Sequence, residues 1–133
     1  MNKKQFSLMI VLATLMAMIL TACGPKSVSF DVEMRDFAFE PNAWEVQAGA
    51  NVTLNLTNTG TLEHEYVIMI LGKNATVPFD ADDEPNVYWE HEVMPSESAT
   101  VEFTAPSEPG VYQIVCGTSG HLEQGMQGTL TVK

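Results

Sequence analysis

From Ser27 onward, apolar residues recur at every second position. Val28, Phe30, Val32 and Met34 alternate with polar neighbours, as do Val52, Leu54 and Leu56, and later Tyr112, Ile114 and Cys116. A period of two puts one side of an extended chain in a core and the other in water, which is the pattern of half-buried strands. Shorter runs with Trp44, Val46 and Ala48, with Val101 and Phe103, and with Leu130 and Val132 follow the same rule. Tyr66 to Leu71 is almost continuously apolar, which predicts a strand covered on both faces. Gly49, Asn58-Thr59-Gly60, Pro106 and Pro109-Gly110 punctuate these runs as turns. No stretch of 11 or more residues keeps a helical period. The expected fold is therefore all-β, a Greek-key sandwich or flattened barrel. One long segment interrupts the pattern. Gly72 to Glu92 carries Pro78, Pro85 and the acidic Asp80, Asp82, Asp83 and Glu84, and reads as an excursion between two strands with a short helical turn.

The N-terminal residues belong to a different category. Lys3 and Lys4 precede an apolar run, Phe6 to Leu20. Its roughly 15 residues fall short of the 20 or so that a spanning helix needs. A basic start, an apolar middle and small residues before Cys23 read as an export signal over residues 1–22. The ending Leu20-Thr21-Ala22-Cys23 resembles a bacterial lipobox, cleaved before Cys23, whose thiol would then carry lipid. The expected division is a signal (1–22), a short tether with lipidated Cys23 (23–27) and one small domain (28–133). Such a protein would be a membrane-anchored lipoprotein facing the periplasm or exterior of a bacterium. After residue 22 only Lys26, Arg35, Lys73 and Lys133 remain against 17 acidic residues, a formal charge of 4 − 17 = −13. That excess argues against nucleic acid and against charge-driven binding to an anionic membrane. It suits steering toward basic partners.

The cysteines carry the chemistry. With Cys23 lipidated, Cys116 has no partner for a disulfide, and an exported thiol needs another form of protection. Its surroundings offer one. Cys116-Gly-Thr-Ser-Gly-His121-Leu-Glu-Gln-Gly-Met126 presents a thiol, an imidazole and a thioether at five-residue steps between two strand-like runs. Gly117, Gly120, Gly125 and Gly128 would allow the intervening chain to turn sharply. Two histidines and a cysteine with a weak axial methionine make the ligand set of a blue-copper electron-transfer centre. This loop offers three of the four groups, so one histidine must come from upstream. His64 stands at the mouth of the buried Tyr66 strand, where a Cys-bearing neighbour could meet it. His91, in Trp89-Glu90-His91-Glu92, reads instead as a solvated side chain between carboxylates.

The spacing Cys, four residues, His, four residues, Met, followed by Gly and a terminal strand, resembles the cupredoxin (small blue copper) family. The upstream His leading into Tyr-Val-Ile fits the same family, and the likeness spans residues 27–133. Within the family, the four-and-four spacing is most similar to auracyanin-like bacterial proteins. The resemblance implies one copper, with His64, Cys116 and His121 as equatorial ligands and Met126 as the axial one. It implies too that the His121 ring reaches the surface as the electron's exit, with Leu122 in an apolar docking patch around it. Two positions depart from the family pattern. Glu65 replaces a frequent Asn, its carboxylate expected to point away from the site, and Ser119 replaces a frequent Pro.

The expected function is that of a monomeric, exported one-electron carrier, not an enzyme. Its partners would be redox proteins, a cytochrome or a membrane oxidoreductase, with a basic surface attracted to Asp80, Asp82, Asp83 and Glu84. The alternative is copper binding and delivery. Delivery sites expose clustered Met and His, whereas Met34, Met69, Met94 and Met126 are scattered. Copper oxidases need further metal centres, and the chain has no His-x-His pair and no second cysteine in the loop from which to build one.

Overall fold

Each alternating run forms a strand, as does the continuous apolar run from Tyr66, and two further strands join them. The structure, a computed structural model, describes residue 24 and residues 26–133; the expected signal and Cys23 lie outside the described residues. The strands are β1 (Ser27–Arg35), β2 (Ala38–Glu40), β3 (Ala43–Val46), β4 (Asn51–Asn58), β5 (His64–Met69), β6 (Val87–Val93), β7 (Ser98–Thr104), β8 (Gly110–Cys116) and β9 (Gln127–Val132). They form two sheets, ordered β2-β1-β4-β7 and β3-β9-β8-β5-β6. Two pairings are parallel, β1 with β4 and β3 with β9, and the others are antiparallel. The architecture is the expected all-β sandwich.

The alternating residues of both sheets meet in one core. Leu54 and Leu56 on β4, Ile68 on β5 and Leu130 on β9 are fully buried. Each is worth roughly 1.5–3 kcal/mol relative to exposure. Aromatic groups fill the middle: the Trp44 indole N–H donates to the Tyr66 hydroxyl at 2.9 Å, so the polar ends of two large rings are paired inside the core.

A second, smaller core lies on the far face of the five-stranded sheet. Val67 and Met69 of β5 and Val115 of β8 are buried there beneath Phe79 and Leu122, with Ala75 and Val87 packed alongside. This explains why the Tyr66–Leu71 run is apolar on both sides. The covering chain is the excursion after β5, stapled by Asp83, which is only 2% exposed. Its Oδ1 accepts the Thr76 N–H at 2.9 Å, and its Oδ2 accepts the Asp80 N–H and the Thr76 hydroxyl, each at 3.1 Å. Burial pushes the Asp83 carboxyl up, but these hydrogen bonds outweigh it and hold the group below its ordinary range.

Two sequence-based expectations change here. The excursion ends in a 3-10 turn at Glu84–Asn86, and the remainder of the segment expected to be loop is the edge strand β6. His91 therefore sits on a strand, opposite Tyr66, with its ring stacked on Trp89 at 6.3 Å. The exposed Glu90 and Glu92 suit an unpaired sheet edge, because charge there discourages pairing with other chains. The same charges conceal the strand in the sequence.

Candidate metal centre

His64 is the first residue of β5 and Cys116 the last of β8. These strands are hydrogen-bonded neighbours, with Tyr66 opposite Cys116, so both side chains arrive at one end of the sandwich. The loop from Cys116 to Met126 then folds back on itself. The His121 N–H donates to the Thr118 carbonyl, and the Met126 N–H to the His121 carbonyl, each at 3.1 Å. The Cys116 N–H donates to the Met126 carbonyl at 3.0 Å, closing the loop at its base.

Three donor atoms converge there. His64 Nδ1 and His121 Nδ1 are 3.1 Å apart, and Cys116 Sγ lies 3.4 Å from the second and 3.9 Å from the first. All three residues are buried, and their donor atoms lie within 4.8 Å of one another. A point equidistant from the three donors is about 2.0 Å from each, close to the lengths of metal–imidazole and metal–thiolate bonds. The donor set thus fits a first-row metal of its own accord. Met126 is fully buried in the main core, the same cluster that contains Cys116.

Neutral groups surround this point. Burial, then the proximity of His121, lowers the pKa of His64, with Asp36 opposing; burial lowers that of His121 as well. Burial raises the pKa of the Cys116 thiol, opposed by hydrogen bonds from Thr118 and Glu65. At neutral pH the metal-free site therefore contains two free imidazoles and a protonated thiol, and a metal must displace one proton to bind.

Backbone and outer side chains fix the approach to the site. The Gly117 N–H donates to the Glu65 carbonyl at 3.1 Å, and the Thr118 hydroxyl to the Glu63 carbonyl at 3.2 Å, tying the loop to the entry of β5. Asn58, buried at the end of β4, donates from its amide to the Leu62 and Val93 carbonyls at 2.8 and 2.9 Å and accepts from the Gly60 N–H. It thereby shapes the turn that leads to His64. Glu65 lies with its carboxylate against Gly117, where a side chain would collide with it. Burial, then the nearby Glu90, Glu84, Glu92 and Glu63, pushes the Glu65 pKa up to about 7.

Several expected surface roles do not match the geometry. Leu122 is 5% exposed and packs in the smaller core, so it is not available to a docking patch. The ring of His121 is likewise covered, the residue being 4% exposed; the exposed Phe37 and Leu62, at 41% and 44%, lie close to it. Of the four acids, Asp80, Asp82 and Glu84 face solvent, whereas Asp83 is an internal staple. His91 lies outside the donor cluster. Asn58 shows in the sequence only as part of a turn, and Asp36 and Phe37 do not stand out at all, because a buried amide and a turn residue over a histidine have no spacing signature.

Comparison with known proteins agrees with this geometry. The structure is similar to auracyanin from the photosynthetic bacterium Roseiflexus castenholzii, with a TM-score of 0.69 and 26% identity over 81% of this chain and 98% of the other. Auracyanin A, a blue copper protein of Chloroflexus aurantiacus, gives a TM-score of 0.66 at 24% identity, covering 80% and 99%. A multicopper oxidase shares the fold at a TM-score of 0.59 and 19% identity, over 80% of this chain but 39% of its own. No curated protein sequence matches. Residues 8–132 match the family described as cupredoxin-like domain, and the chain belongs to that family.

Proposed function

We propose that the protein is a one-electron carrier with a single type 1 copper bound by His64, Cys116 and His121, with Met126 as the axial ligand. The observation that carries this reading is the convergence of two Nδ1 atoms and one Sγ, all buried, within 3.9 Å of one another. Bound copper would supply a Cu(II)/Cu(I) couple, with thiolate and thioether suiting the reduced ion and imidazole both states. The chain's part is to keep the donors still. β5 and β8 set His64 against Cys116, and the loop's own hydrogen bonds set His121 and Met126. Rigid donors favour electron transfer because little has to move between the two oxidation states. Burial of all three donors also disfavours copper delivery, which requires ligands that an acceptor can reach.

The surroundings support a partner-facing role for the same end of the sandwich. Electrons would pass through the covered His121 toward the exposed Phe37 and Leu62. Asp80, Asp82 and Glu84 would speed encounter with a basic redox protein, an effect that salt suppresses as the screening length falls to about 10 Å at 0.1 M. Export and lipidation at Cys23 complete the reading. Because β1 begins at Ser27, three residues lie between Cys23 and the sheet, four Cα–Cα steps with a reach of roughly 13–14 Å. The test is visible absorption and EPR of residues 24–133 with Cu(II). An intense blue band with narrow copper hyperfine splitting, lost in Cys116→Ser, is expected; a colourless protein would overturn the proposal.

A further inference from the structure

We infer that the turn joining β1 to β2, Asp36 with Phe37, is a clasp that orients both histidines; this rests on the copper reading of the same site. His64 Nε2, on the ring edge away from the donor cluster, is buried without a well-formed hydrogen bond. Asp36 Oδ1 stands 3.4 Å from it. That carboxylate is itself held in place: Oδ1 accepts the Thr61 N–H at 2.9 Å and the Leu62 N–H at 3.3 Å, and Oδ2 accepts the Thr61 hydroxyl at 2.8 Å. A fixed carboxylate beside Nε2 favours the proton on that nitrogen. The Nδ1 lone pair is then free on the side facing Cys116 and His121. Outer carboxylates commonly set the tautomer and basicity of metal-binding histidines in this way. Gly60 makes the approach possible. A Cβ at that position would collide with Asp36 Oδ1 and lie 2.8 Å from His64 Nε2.

Phe37 acts on the second histidine. Its ring meets the His121 ring at 5.2 Å with the planes nearly perpendicular. The residue holds φ at +67°, a left-handed conformation that bulky side chains rarely adopt. Glycine would take that backbone freely, so what the position gains from phenylalanine is the ring over His121.

Histidine-selective 15N NMR of the metal-free protein tests the clasp without copper. His64 is expected as the Nε2–H tautomer in the wild type, with that preference weakened in Asp36→Ala and, to a smaller degree, in Asp36→Asn. The asparagine variant preserves the turn's acceptor oxygen and carries the test if the alanine variant fails to fold. Phe37→Gly is expected to retain the fold and broaden the His121 ring signals. In the loaded protein, Asp36→Ala should weaken copper binding roughly tenfold. An Nδ1–H tautomer at His64 in the wild type, or an unchanged tautomer ratio in the folded Asp36 variants, would overturn the role of Asp36. Unchanged His121 signals in Phe37→Gly would overturn that of Phe37. A protein that binds no copper yet shows the expected tautomer would defeat the copper reading alone.

Discussion

The two sheets of the sandwich are built differently. In the four-stranded sheet, β7 alternates between exposed and half-buried residues, and β1 and β4 bury mainly their inward residues. Its outer face is open to water. In the five-stranded sheet, β5 and the end of β8 are buried on both faces, by the main core on one side and the excursion on the other. His64 and Cys116 lie on these doubly covered strands. The four-stranded sheet reaches the site through the turn after β1 and the Asn58 amide at the end of β4. A core on each face leaves a strand few ways to shift, so the clamped sheet is the better place for donors that must not move.

The largest expected effect separates metal from scaffold. At copper concentrations about a thousandfold above Kd, binding should stabilise the fold by about 4 kcal/mol, read as a raised Tm. Cys116→Ser should remove most of that rise. Leu54→Ala, at a fully buried position of the open-faced sheet, should cost about 3 kcal/mol in urea unfolding and leave the spectrum of the loaded protein unchanged. A spectral change there would show that the two sheets are not separable in this way. Phe79→Ala strips the cover from the clamped sheet. We expect a loss of about 2–3 kcal/mol and faster hydrogen exchange at Val67 and Val115, the signature that the Leu54 variant should lack.

Asp83→Ala should loosen the same cover at a cost of about 2 kcal/mol at pH 7, since three hydrogen bonds to a carboxylate are lost. Because the folded-state pKa is lowered, this stabilisation is fully present above the unfolded value of about 3.9 and is lost as pH falls through the folded value. The difference between wild type and variant should therefore shrink between pH 5 and pH 2; a constant difference would show that the staple does not depend on charge. The smallest effect belongs to the open face. Glu102→Gln on β7 should change stability by less than about 0.5 kcal/mol.

What the sequence revealed follows the same division. Strands with strict alternation, and the Cys-His-Met loop with its fixed steps, carry their structure in spacing, and both were legible. β6 was not, because an edge strand can hold charges that break the pattern. Leu122 and Asp83 look like surface groups in the sequence yet are buried, since sequence reports polarity and the burial of a loop is decided by what folds over it. Asp36 and Phe37 were invisible for a related reason. Their importance comes from the side chains opposite them, which are distant in the chain.

That distance has a bearing on when the protein can acquire copper. His64 and Cys116 are 52 residues apart, and the chain between them crosses into the other sheet through β7 before β8 returns to lie beside β5. Closing so long a path is an entropic cost met only once many other contacts have formed. A nascent or half-folded chain thus holds the three donors of the Cys116–Met126 loop without His64, and lacks the complete buried site. Completion of the four-donor site reports that β5 and β8 have come together.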